Sequence, residues 1–412
     1  MTLWADSEPL MPTGLDDHDV AVLLALATLP HIGPATLVRC LRAGELGRTW
    51  KEVRAGRAAG VAALAPVLGS EKPQMRQAEL AVAAHAVDAP SLLARNRRAG
   101  HVLPFGDPAY PQRLLTDPEP PAILFAIGDL APLGEPVVAV VGTRNATQAG
   151  REVAIDLGAG LAEAGVHVVS GLALGIDGAV HTGVLGAWER PPGPARATAR
   201  PAASLGRPIG VIASGIDIAY PRRHGPLHRQ VAGRGCLLSE TPLGARPQPW
   251  RFPARNRIIA GLADAVVVVE SRATGGSMLT ASEALARDVV VLAVPGHPNS
   301  PASCGTNDLI ADGAHLVRDV GDVLVAIGRG GTERVAVPAT DPLTGTSAEQ
   351  RAVLDALGVD PLALDELIDR AGLTLEATSA VLVELEEGGW VGRTGSWYQR
   401  TSRSTRRAGG RR

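Results

Sequence analysis

Between residues 101 and 327, short runs of apolar, β-branched residues alternate with helix-length segments, and most of the runs end in a turn that carries glycine. Val137–Val141 is apolar throughout, the pattern of a strand covered on both faces. A helix is predicted over 149–164 and a strand over 166–169, with further strands over 209–213, 236–238, 265–269 and 289–294. Strands separated by helices of this length connect in parallel, so the expected fold class is α/β: a doubly wound, mostly parallel sheet. Ligands of such sheets bind outside the carboxyl ends of the strands.

The flanks read differently. Residues 18–100 are alanine-rich and helical, with Leu29-Pro30-His31-Ile32-Gly33-Pro34-Ala35 as a hairpin between two helices. That hairpin is either a plain helix–helix turn or a set of N–H groups aimed at a phosphate. Residues 190–208, rich in Pro, Ala and Arg, read as a flexible insertion, and 328–346 as a linker. From 347 to 400, three short helices followed by a β-wing suggest a winged helix. The arginine-rich residues 401–412 read as a disordered tail.

Composition excludes several functions. A formal net charge of −2 rules out a bulk electrostatic case for nucleic acid, so any affinity rests on local patches. The only lysines, Lys51 and Lys72, do not follow a glycine, so no P-loop is present. Cys40, Cys236 and Cys304 lie too far apart for a metal or redox pair and suit a reducing cytosol. Acidic residues precede the first apolar run, and no run approaches the ~18 residues of a membrane span. The expected location is the cytoplasm.

The predicted strand ends hold the candidate site. After the first comes Gly142-Thr143-Arg144, which is not the dinucleotide fingerprint; Gly142 allows close approach, Thr143 offers a hydroxyl and Arg144 can grip a phosphate. The next ends in Ser170-Gly171-Leu172-Ala173-Leu174-Gly175-Ile176-Asp177, an anion nest in which Asp177 caps or orients the helix and His181 packs. Trp250-Arg251-Phe252-Pro253-Ala254-Arg255-Asn256-Arg257 is the densest positive cluster. Its guanidinium groups suit phosphates, and Phe252 suits a stacked base at about 1–3 kcal/mol. Gly275-Gly276-Ser277 opens another helix on the same edge. No carboxylate pair, histidine cluster or nucleophile–base set stands out. Binding is expected, with no catalytic residue, no metal ligand and no cofactor.

These segments, together with Tyr110-Pro111, Gly215-Ile216-Asp217, Tyr220-Pro221, Pro295-Gly296 and 305–310, resemble in order the DNA-processing protein A (DprA, or Smf) family over about 110–317. The resemblance implies an extended Rossmann-like domain, an N-terminal SAM-like or helix-hairpin-helix-like domain and a C-terminal winged helix. It implies a homodimer that binds single-stranded DNA and loads the RecA recombinase during natural transformation or recombination. The implied pocket is Gly142, Thr143, Arg144, Ser170, Gly171, Phe252, Arg255, Asn256, Arg257, Gly275, Gly276 and Ser277. Thr143 stands where the family often has serine, Leu174 where a basic residue is frequent, and His224 where asparagine is typical.

The sequence bears two other readings. A nucleotide-phosphoribohydrolase-like enzyme shares such a sheet, but Pro295-Gly296-His297-Pro298 does not continue into that family's glutamate-bearing run. A transcription regulator would read DNA through the winged helix, yet its recognition-helix position carries Glu376, Glu384, Glu386 and Glu387 and no Arg or Lys. A phosphate-facing helix needs the opposite sign, so a protein contact is expected there instead.

Overall fold

The computed structural model describes residues 14–69, 72–134, 136–189, 205–329, 346–357 and 361–400. The expectations for the bulk of the insertion, the linker and the arginine tail lie outside these residues. Among those described, nine strands form one sheet. They are β1 (His101–Pro104), β2 (Ile123–Gly128), β3 (Val137–Val141), β4 (His167–Ser170), β5 (Pro208–Ile212), β6 (Cys236–Ser239), β7 (Ala265–Val268), β8 (Val290–Ala293) and β9 (His315–Leu316). Their order is β1-β2-β6-β5-β4-β3-β7-β8-β9. All neighbours from β6 to β9 are parallel, while β1 and β2 join antiparallel at one edge.

Period-two alternation explains the unbroken apolar runs. Val137, Ala139 and Val141 enter one core while Val138 and Val140 enter the other. In the first core lie Ile258 and Ile259 of the helix Arg251–Leu262, Ala281 and Ala284 of Gly276–Leu285, and Val20–Leu26, Leu37 and Trp50 of the N-terminal helices. In the second lie Ala154 and Leu157 of Gln148–Glu163 and Val180 and Val184 of Ile176–Glu189. The N-terminal helices and the sheet thus share one apolar core within the unit Met1–Gly331.

Along that unit the helices are α1 (Asp17–Ala27), α2 (Pro34–Arg42), α3 (Leu46–Arg54), α4 (Ala65–Leu68), α5 (Pro73–His85), α6 (Ala89–Ala99), α7 (Gln112–Leu115), α8 (Gln148–Glu163), α9 (Ile176–Glu189), α10 (Gly225–Arg234), α11 (Arg251–Leu262), α12 (Gly276–Leu285), α13 (Cys304–Ala311) and α14 (Val320–Ala326). Asp16 caps α1 by accepting from the Asp19 N–H, and Thr147 caps α8 through Gly150.

The second unit, Thr332–Arg412, holds α15 (Ala348–Ala356), β10 (Leu362–Ala363), α16 (Leu364–Ala371), α17 (Leu375–Glu387), β11 (Val391–Thr394) and β12 (Trp397–Arg400). Its strands order β10-β12-β11, and Val353, Leu354, Leu367, Leu382, Leu385 and Tyr398 form its core, a winged helix. A capping box between Ser347 and Gln350 starts α15. Glu376, Glu384 and Glu387 are exposed on α17, so the helix shows an acidic face to solvent. Among the described residues, no helix is long and apolar enough to cross a membrane.

Candidate nucleic-acid interface

The winding reverses between β3 and β7: the chain runs from β3 through β4, β5 and β6 on one side, then to β7, β8 and β9 on the other. A crevice at such a point ordinarily takes the ligand. Here Glu270 fills it. Its carboxylate accepts from the Thr147 N–H at 2.9 Å and the Thr147 hydroxyl at 2.5 Å, and its carbonyl accepts from the Thr143 N–H at 2.7 Å. A Cβ on Gly150 would sit 2.3 Å from the Glu270 carboxyl carbon, so α8 closes tightly over this group.

The open cavity lies at the ends of β4 and β5. Arg144, Gly171, Leu174, Ala213, Tyr220 and Phe252 line it. The exposed Arg144 guanidinium stands over the Phe252 ring at 5.0 Å from its centroid. The Tyr220 ring, 46% exposed, lies 5.6 Å from Phe252 at 50°. Arg144 and Phe252, more than one hundred residues apart in sequence, thus meet at this edge of the sheet. Thr143 positions the arginine, its hydroxyl accepting from the Asn145 N–H at 3.2 Å.

Beneath the cavity is a buried pair. Asp177 accepts hydrogen bonds from the backbone of Ala173, Gly171 and Gly142, and burial holds its carboxyl above the usual range. Arg255 donates to the Gly171 carbonyl at 3.0 Å and to the Val211 carbonyl, and burial lowers its guanidinium to about 10. Gly171 is required here: an added Cβ would fall 2.5 Å from the Arg255 guanidinium and 2.6 Å from the Asp177 carboxylate. His224 approaches the Leu172 carbonyl of the same loop through Nδ1 at 3.0 Å.

Several expected ligand-binding side chains are turned inward, which corrects the direct roles assigned to them. The Ser170 hydroxyl donates to the Val140 carbonyl at 2.6 Å and is fully buried. Arg255 serves the loop beneath the cavity. Arg257 donates to both oxygens of Glu240 at 2.6 and 2.7 Å, with each side chain under 10% exposed. The Ser277 hydroxyl donates to that of Ser271 at 2.8 Å. Arg255, Arg257 and Ser277 turn inward because α11 and α12 pack into the core, and Ser170 because it ends the buried strand β4. Gly275, Gly276 and Ser277 do not line the Arg144–Phe252 cavity; Asn256 alone reaches their loop, donating to the Gly276 carbonyl at 3.5 Å. Tyr220 and Glu270 were not anticipated as parts of the site. Tyr220 was visible as an aromatic beside a predicted strand end, in a chain that holds only three tyrosines.

Comparison with known proteins adds to this geometry. Residues 101–328 match the family of DNA recombination-mediator protein A, and residues 337–395 match the DprA winged helix domain. A DprA relative from Mycobacterium tuberculosis is 39% identical over 285 residues, covering 67% of this chain and 68% of that protein. The DNA processing protein DprA of Bacillus subtilis is 38% identical over 236 residues, covering 57% of this chain and 74% of its own length. The crystal structure of DprA from Streptococcus pneumoniae aligns with a TM-score of 0.59 at 29% identity, covering 76% of this chain and 98% of that one. The match over the whole sheet, carried through to the winged helix, places this chain in the DNA recombination-mediator protein A family.

Proposed function

We propose that the chain binds single-stranded DNA at the Arg144–Phe252 cavity and acts as a recombination mediator, passing the strand to a RecA recombinase. On this reading it works as a homodimer in the cytoplasm, in natural transformation or general recombination, and performs no catalysis of its own. The observation that carries the reading is the exposed guanidinium stacked on an aromatic pair at the carboxyl edge of the sheet. Arg144 offers a phosphate a charged, planar donor, while Tyr220 and Phe252 offer a base an aromatic surface. Neither group reads base identity, so binding is expected to tolerate any sequence. The family membership supports the same reading.

The hydrolase reading loses ground on the site's chemistry. Glu240, Glu270 and Asp177, carboxylates that follow strand ends, are all engaged by the protein's own hydrogen bonds or ion pairs. A hydrolase needs one of them free to face a ligand.

The deciding experiment is fluorescence anisotropy of a labelled oligo-dT against wild type and Arg144→Ala across a salt series. The variant is expected to bind at least tenfold more weakly, about 1.4 kcal/mol. Its salt slope should be shallower by about 0.7, the share of one phosphate on a single strand. Equal binding by both proteins would move the site elsewhere, and no binding by wild type would remove the mediator reading. The acidic face of α17 leads to a companion expectation. An isolated 341–400 domain should not bind duplex DNA at physiological salt, and tight binding there would overturn the protein-contact role given to this helix.

A further inference from the structure

A second Arg–aromatic pair stands two residues before Phe252. Trp250 precedes α11 and is half exposed. Its indole N–H donates to the Gln248 side chain at 2.5 Å, and the Arg251 guanidinium lies 5.1 Å from its ring centroid. Arg251 is held in turn by the Arg246 carbonyl at 2.9 Å. The indole is therefore fixed in orientation while half of its surface faces water. In a chain with only three phenylalanines, three tyrosines and six tryptophans, three of these rings gather at one strand edge.

Trp250 and Arg251 line a cleft of their own, whose far wall is Ile32, Pro34 and Leu37 of the N-terminal hairpin and α2. That cleft shares Ile212 and Ala213 with the Arg144–Phe252 cavity, so the two are neighbours across a single apolar rib. Glu240, the carboxylate in the cleft wall, is neutralised by Arg257. The half-exposed indole, the arginine above it and the shared rib fit the continuation of a nucleic-acid strand.

We infer that Trp250 is a second base-stacking position for single-stranded DNA. The strand leaves the Phe252 cavity, crosses the Ile212–Ala213 rib and lays a neighbouring base on the indole, with Arg251 at its backbone. It then runs towards the hairpin at Ile32. This rests on the Arg144–Phe252 reading and extends it by at least one nucleotide.

The test compares full-length wild type, Trp250→Ala, Trp250→Phe and Arg144→Ala on oligo-dT of about 4 and about 16 nucleotides, the ends of the usual single-strand site range. Trp250→Ala is expected to weaken the longer oligonucleotide about tenfold and leave the shorter one unchanged, with Trp250→Phe restoring most of the loss. If Trp250→Ala matches wild type on the longer strand while Arg144→Ala does not, this inference fails and the cavity reading stands. If Arg144→Ala also matches wild type, both fail. Photocrosslinking of wild type to an oligonucleotide carrying iododeoxyuridine covers the case of a poorly folded variant. A crosslink at Trp250 supports the inference, and crosslinks confined to Phe252 or Tyr220 overturn it.

Discussion

Glu240→Ala is expected to lower the unfolding free energy by about 3–5 kcal/mol without weakening the binding of single-stranded DNA by the folded protein. The carboxylate follows β6 and holds Arg257 of α11 through both oxygens, with both side chains almost wholly out of water. Burial pushes the Glu240 carboxyl up and the Arg257 charge pulls it back, so the pair is held at a real desolvation cost. Truncating one partner strands the other charge in an apolar wall, which costs more than the pair itself contributes. Replacing both, as Glu240→Leu with Arg257→Met, should recover most of the loss because the two new side chains fill a similar volume. Urea unfolding followed by anisotropy below the transition separates the two effects. A large loss of DNA affinity in folded Arg257→Ala would show instead that this arginine meets phosphate, as its place in the positive cluster first suggests.

That contrast marks what a sequence makes legible. The run Val137–Val141 could only be a strand with both faces covered, and the structure gives it one core on each side. The wing and helices of the C-terminal unit were equally visible from their periodicity. Arg144 and Phe252 were legible because charge and aromaticity beside strand ends are properties of residue type. Direction was not. Arg255 and Arg257 sit in the same cluster as Arg251, and nothing in their spacing tells which guanidinium finds a buried carbonyl or carboxylate. Those partners, Gly171, Val211 and Glu240, come from other strands. The plug formed by Glu270 escaped for the same reason, since Thr147 and Gly150 meet it only once α8 is laid on the sheet. The edge strands β1 and β2 have only the single-turn helix α7 between them and so lacked the alternating signal that marked the rest.

Acidification below about pH 6.5 should destabilise the first unit. Three histidines, His181 and His228 buried and His167 half-buried, are held in neutral form. Burial and the neighbouring His228 and His224 lower His181 to about 3, and burial lowers His228 to about 4. Among the described residues neither ring nitrogen of His181 has a hydrogen-bond partner; the Ser170 backbone, which favours the charged ring, does not reach good hydrogen-bond geometry. His167 is lowered to about 4 by burial and the nearby Arg207, and its Nδ1 accepts from the Arg207 N–H at 3.0 Å, a bond that only an unprotonated nitrogen can accept. The unfolded chain takes up these protons near pH 6.5 and the folded one does not, so the stabilisation is complete above about pH 6.5 and drains away as pH falls towards about 4. At about pH 5 His181 and His228 cost about 2 kcal/mol each and the half-buried His167 less, screened by solvent, so the three together cost on the order of 5 kcal/mol, a large share of an ordinary 5–15 kcal/mol stability. Asp177 and Glu240, raised by burial, work the other way in part, since the folded state binds their protons first. Urea midpoints measured from about pH 7.5 to about pH 5 should therefore fall steadily, and His181→Leu should flatten the decline by about a third. A midpoint that holds constant to about pH 5 would mean that these rings reach water or a partner as readily in the folded chain as in the unfolded one.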